Sequence, residues 1–113
     1  MRKDEIVKAV CLELKTNGTI ADFTYDHFKE PDAILPPYAV YRRVAPQNFS
    51  ADGMVYHHGE NVDLELYASD PDEMAAIMAA FEEKLDAAEI FYQLTVDTAY
   101  IESEDFYESL YEL

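Results

Sequence analysis

Apolar residues recur near the start of the chain at spacings of three and four. Ile6, Val7, Val10, Cys11 and Leu14 share one side of a helical projection, while Glu5, Lys8 and Lys15 fall on another. That period predicts an amphipathic helix over residues 3–15. Asn17-Gly18 should end it, since both residue types enter the left-handed conformation that closes a helix. Residues 19–37 hold Ile20, Phe23, Tyr25 and Phe28 among polar residues and end in Pro31 and Pro36-Pro37. A short extended piece followed by a loop is the expectation there.

The period then shortens to two. Residues 38–45 (YAVYRRVA) are rich in β-branched and aromatic side chains and lie between Pro37 and Pro46, which predicts a strand. After Asp52-Gly53 a second extended stretch runs through Met54–His58, with a bend expected at Gly59. It continues with Val62, Leu64 and Leu66 alternating with Asp63 and Glu65, so one face turns to a core and the pair reads as a long hairpin. Asp70-Pro71-Asp72-Glu73 supplies an N-cap, a proline at the first helical position and a glutamate three residues after the cap. Met74, Ile77, Met78, Phe81 and Leu85 then mark the stripe of a helix of about four turns. Extended patterning returns at 90–98, where Ile90, Tyr92, Leu94 and Val96 alternate, and at 105–112. This order predicts a single α+β domain over residues 1–113. Its mostly antiparallel sheet of about four to five strands would carry two helices packed on one face.

Length and composition fit that picture. A chain of 113 residues, half of them apolar and including 9 Tyr and 6 Phe, is long enough for one core. Folding at this size buries roughly two-thirds of the unfolded chain's surface without a disulfide or structural metal. No apolar run approaches the ~20 residues of a membrane helix, and the start MRKDEIVKAV carries charges where a signal peptide has its apolar stretch. A soluble cytoplasmic protein is expected, with Cys11 a buried thiol in a reducing compartment.

Charge narrows the choice of partner. The net charge is −16, from 8 Lys and Arg against 24 Asp and Glu. Binding to a phosphate backbone needs clustered cations, which this chain lacks. Seven of the 8 cations lie within residues 1–43, and nothing after Lys84 is basic. The chain therefore has a positive end and a negative end in sequence.

Candidate chemistry is sparse. There is no glycine-rich phosphate loop, H-E-x-x-H, C-x-x-C or G-x-S-x-G, so no catalytic residue, cofactor or small-molecule substrate is expected. His57-His58 are strand neighbours that point to opposite faces and cannot chelate one ion, and His27 stands alone. Capping explains Asp70, Asp72 and Glu73 without a cation, so no metal site is expected. Tyr100, Phe106, Tyr107 and Tyr111 are interleaved with acids, which favours core packing or a protein interface over a nucleic-acid stacking platform. Arg42-Arg43 is the sharpest charged feature, either a solvated strand edge or a partner-facing ion pair.

Several blocks resemble a known family. Leu35-Pro36-Pro37-Tyr38-Ala39-Val40-Tyr41, Asn48-Phe49-Ser50-Ala51-Asp52 leading to Tyr56, Leu64-Glu65-Leu66-Tyr67, and Tyr100-Ile101-Glu102-Ser103-Glu104 with Tyr107 and Tyr111 carry the likeness. They are similar to small tail proteins of long-tailed phages and prophages, the lambda-type tail terminator or tail completion (head-tail joining) family. The likeness runs from about residue 35 to the end, and the first helix fits by position only. It implies a non-catalytic α+β subunit that forms a hexameric ring, caps the head-proximal end of the tail tube and joins it to the head. The implied partners are other copies of the chain, the tail tube and head-connector proteins. DNA would pass through the ring without specific binding, no membrane would be involved, and the protein would move from host cytoplasm to virion. Neck or head-completion proteins are the alternative within this class, and an acidic DNA mimic that inhibits a host DNA-binding protein is the alternative outside it. A ring of such subunits would need positive charge between the acidic C-terminal segments. Arg42 or Arg43 reaching Glu104, Asp105 or Glu108 of a neighbour is the expected subunit contact.

Overall fold

A computed structural model of the chain describes residues 2–28, 35–44 and 61–113. The opening helical period is realised as α1, Lys3–Thr16. Its first turn is closed by the Arg2 backbone N–H donating to Glu5 Oε1 at 2.9 Å. At the other end Gly18 takes φ 87°, a left-handed value that favours glycine, and Asn17 Oδ1 accepts from the Thr19 backbone N–H at 2.9 Å. The chain leaves this cap into β1, Asp22–Tyr25, and the next described strand is β2, Tyr38–Val44. β3 spans Asn61–Ala68 and leads directly into α2, Pro71–Ala87, whose 17 residues make it longer than the expected four turns. β4, Gln93–Ile101, and β5, Phe106–Glu112, complete the chain.

These strands form one five-stranded sheet in the order β1-β2-β3-β5-β4. β1 runs parallel to β2, and the other pairings are antiparallel, so the fold is α+β with a mostly antiparallel sheet. Strand alternation decides which side chains meet the helices. Ala39 and Tyr41 of β2, Val62, Leu64, Leu66 and Ala68 of β3, and Tyr111 of β5 are buried. They gather in one cluster with Val7, Val10, Cys11 and Leu14 of α1 and with Met74, Ile77, Phe81 and Leu85 of α2. Each large side chain fully buried there contributes about 1.5–3 kcal/mol. An ion pair between Lys84 and Glu13 links the two helices at their solvent rim.

Two expectations change. The extended patterning at 90–98 becomes a strand only from Gln93 and runs on to Ile101. Ile90 is buried ahead of that strand, whereas Leu94 is 37% exposed. The cause lies in β4's position at the sheet edge and in its irregular pairing with β5, which shifts register on either side of Val96. Thr98 there takes φ 53°. The proposed strand through Met54–His58, the bend at Gly59 and the His57-His58 pair lie outside the described residues. Among the described residues no helix is long and apolar enough to cross a membrane.

Candidate interaction face

Residues that alternate with the buried set project from the opposite side of the sheet. On β2 these are Tyr38, Val40 and Arg42. Register places Tyr38 opposite Tyr67, Val40 opposite Glu65 and Arg42 opposite Asp63, while on the far side of β3 Tyr67 faces Glu108 of β5. A strand of period two with Asp63, Glu65 and Tyr67 at its polar positions would ordinarily leave them in water. Here all three are half-buried; Tyr67 lies among aromatic rings and Glu65 is held by Arg42.

The rings form a continuous group. Tyr38 stacks on Tyr67 with centroids 4.7 Å apart. Phe106 meets both edge-on, at 6.2 Å and 5.7 Å, and Phe28 lies edge-on to Tyr38 at 5.3 Å. Such edge and offset contacts each add about 0.5–1.5 kcal/mol beyond the area that they bury.

A polar chain runs beside the rings. Arg42 donates from Nη1 to Glu65 Oε2 at 2.6 Å and from Nη2 to Glu65 Oε1 at 3.4 Å, a two-pronged hold on one carboxylate. Its Nε reaches Asp26 Oδ1 at 3.2 Å, and its Nη2 reaches the Asp26 carbonyl at 3.1 Å. The bond to Glu65 raises the guanidinium pKa further above its already high value. Asp26 sits at φ 71°, with its other carboxylate oxygen 2.9 Å from His27 Nδ1, and the His27 and then the Arg42 hydrogen bonds hold its pKa below the usual carboxylate value. The Tyr67 hydroxyl lies 2.8 Å from Glu108 Oε2 and 3.0 Å from Glu65 Oε1. Burial, followed by the hydrogen bond to Glu108 and the charge of Glu65, pushes its pKa well above that of an ordinary phenol.

At one end of this face lies a cleft of about 420 Å³, with Asn61, Asp63, Phe91 and Glu112 in its wall. Asp63 and Glu112 are register partners on β3 and β5. Burial, and then the Glu112 charge, push the Asp63 carboxyl above its usual pKa, against the opposing pull of Arg42. Among the described residues no group of three or more His, Cys, Asp or Glu side chains is placed to hold a metal ion.

The residues expected at a subunit contact are thus spread over the sheet. Arg42 spends its donors on Asp26 and Glu65 of its own chain. Arg43 is exposed, and its backbone N–H donates to the Tyr25 hydroxyl at 3.2 Å. Glu108 is the Tyr67 partner. Glu104 and Asp105 occupy the turn between β4 and β5, where Asp105 takes φ 60° and accepts from the Tyr100 hydroxyl at 2.8 Å. Register puts Arg42 and Arg43 level with Asp63, Val62 and Glu112, at the opposite end of the sheet from the turn that precedes Phe106. Nothing in the linear sequence couples Asp26 to Arg42, which lies 16 residues away, or Tyr67 to Glu108, which lies 41 away. The available signal is the run of polar residues at alternate positions of β3 together with the aromatic blocks.

The Asp70 cluster behaves as a cap. Asp70 Oδ1 accepts from the Glu73 backbone N–H at 2.8 Å, and Glu73 Oε1 accepts from the Ser69 backbone N–H at 2.8 Å. Of the C-terminal aromatics, Tyr111 is buried, with its hydroxyl 2.5 Å from Glu82 Oε2. Tyr107 packs against the core, Phe106 joins the opposite face, and Tyr100 is exposed with its ring 5.2 Å from that of Tyr107. Comparison of the chain with protein-family models, with curated proteins and with solved structures finds no match.

Proposed function

We propose that this chain is a structural subunit of a phage or prophage virion, a tail-terminator-like protein. In this reading six copies form a ring that caps the tail tube at its head-proximal end and joins it to the head. The observation that carries the reading is the meeting of sequence blocks on one side of the sheet. The tyrosine of Leu35–Tyr41 that opens β2, Tyr38, stacks on the tyrosine of Leu64–Tyr67. That tyrosine in turn holds Glu108, the chain neighbour of Tyr107 in the C-terminal block. A face so closed upon itself, with Arg42, Glu65, Tyr67 and Glu108 joined by hydrogen bonds, suits a rigid building piece. The excess of carboxylates suits a passage for DNA, because phosphates are repelled from such a lining.

Native mass spectrometry over a wide concentration range, with and without isolated tail tubes, tests the proposal. Six-subunit rings, seen by electron microscopy at one end of the tube, are the expected result. A strict monomer under every condition overturns it, as does stable binding to a head connector without a tube, which would indicate a neck protein. Capture of a basic DNA-binding protein by the monomer would overturn it in favour of DNA mimicry.

A further inference from the structure

The sheet has two edges, and among the described residues no strand covers either one. One edge is β1, four residues long, and the other is β4, nine residues long. An uncovered edge strand offers a row of backbone donors and acceptors to another chain. The exposed large apolar side chains concentrate at the same places. Tyr25 of β1 is 47% exposed, Tyr100 of β4 is 52% exposed, and Phe91, just ahead of β4, is 83% exposed. With Leu94, four of the six such residues among those described stand at the two edges.

The edges differ in charge only in part: the β1 edge holds Asp22 and Asp26 with Lys15 beside them, whereas β4, the other edge, has no cation. The β4–β5 hairpin, residues 93–112, carries Asp97, Glu102, Glu104, Asp105, Glu108 and Glu112 with no Lys or Arg. Lys15, at the end of α1, projects beside the start of β1, where its Nζ lies 3.0 Å from Asp22 Oδ1. Strand direction adds a third constraint. β2 is parallel to β1, β3 antiparallel to β2, β5 antiparallel to β3, and β4 antiparallel to β5. β4 therefore runs opposite to β1. A copy related by rotation about an axis along the strands brings its β4 antiparallel to the first copy's β1.

We propose that the subunit contact joins the β1 edge of one copy to the β4 edge of the next, antiparallel, so that the sheet continues from subunit to subunit. This rests on the ring reading above. The contact is heterologous, so it propagates around a ring until closure, and closure removes both open edges. In this arrangement Tyr25 comes level with Leu94 of the neighbour. Lys15, paired with Asp22 of its own chain, comes beside the neighbour's Glu102–Asp105 turn, while Arg42 and Arg43 stand at the other end of the ladder. The register shifts around Val96 confine regular pairing to part of β4, which matches the shorter length of β1.

Cysteine crosslinking tests the contact in the full chain. Native Cys11 is fully buried and gives little background. A Tyr25→Cys/Leu94→Cys double variant, treated with a short bifunctional maleimide in the presence of tail tubes, should yield covalent multimers up to a closed ring, whereas neither single variant should. Circular dichroism matching the parent chain establishes that the variants fold. Multimers from Tyr25→Cys/Tyr100→Cys instead would mean parallel pairing, and self-crosslinked dimers of Asp97→Cys would mean two β4 edges facing each other; either overturns the proposal. A ring seen by native mass spectrometry with no Tyr25–Leu94 crosslink overturns the edge contact and leaves the ring standing. A monomer under every condition overturns both.

Discussion

Tyr67 has one hydroxyl proton and two carboxylates within reach, and the neighbours decide where it goes. Glu65 already receives two hydrogen bonds from Arg42, whereas Glu108 gains its close contact from the tyrosine, so the proton belongs with Glu108. Asp26 and Glu65 thus share one guanidinium, and Tyr67 links Glu65 to Glu108. Cys11 presents the simpler case of a titratable group with no polar compensation. Burial alone pushes its thiol from 9.0 up to about 12. The folded state therefore keeps a proton that the unfolded state loses from about pH 9, so stability is fully present below pH 9 and falls as pH rises toward 12. The slope approaches about 1.4 kcal/mol per pH unit for one such group. Urea titrations at pH 8, 9 and 10 should show this decline in the parent chain. Cys11→Val, although less stable overall, should have a flatter profile between pH 9 and 10, where Tyr67 and Tyr111, with an ordinary value of 10.0, add the same decline to both proteins. Equal slopes in the two proteins would mean that the thiol is not desolvated.

At the scale of elements, α2 depends on its first turn as well as its stripe. Asp70 and Glu73 satisfy backbone donors at Glu73 and Ser69, and Pro71 occupies a position where its missing N–H costs nothing. Asp70→Ala should lower stability by about 1 kcal/mol, measured by chemical denaturation, and leave assembly unchanged. Loss of assembly in a folded Asp70→Ala protein would give that residue a second role. This turn was legible in the sequence because its three signals are local and agree. α1, β2 and β3 were legible for the same reason, as period and punctuation coincide at Gly18, Pro37 and Asp70. β4 was less so. Ile90, Tyr92, Leu94 and Val96 alternate as a half-buried strand would, but β4 has a neighbour on one side only and its register breaks at Val96. Edge position and bulges depend on which strands pair, and local pattern does not carry that information. The same limit hid the Arg42–Asp26 and Tyr67–Glu108 contacts, which arise from the β1-β2-β3-β5 order.

For the whole molecule, the ratio of charges sets the sign of the salt response. Eight Lys and Arg can neutralise at most 8 of 24 acids. Ion pairs form, such as Lys15–Asp22 and Arg42–Glu65, but carboxylates also face one another, as Asp63 and Glu112 do across β3 and β5. Like charges directly opposite on a sheet are destabilising, and a net charge far from zero opposes the compact state. Raising salt from about 0.01 M to about 1 M shortens the screening length from about 30 Å to about 3 Å. More repulsion than attraction is then removed, so the urea midpoint of the isolated chain should rise with sodium chloride. The increase should be on the order of 1 kcal/mol, the scale of a few exposed pair interactions. Glu112→Gln separates the local part of this response. It should stabilise the protein by about 0.2–1 kcal/mol at low salt and by less at high salt, and it should let the Asp63 carboxyl titrate nearer its ordinary range. A midpoint that falls with added salt would mean that the few ion pairs outweigh the net charge. In that case Glu112→Gln would bring no gain at low salt.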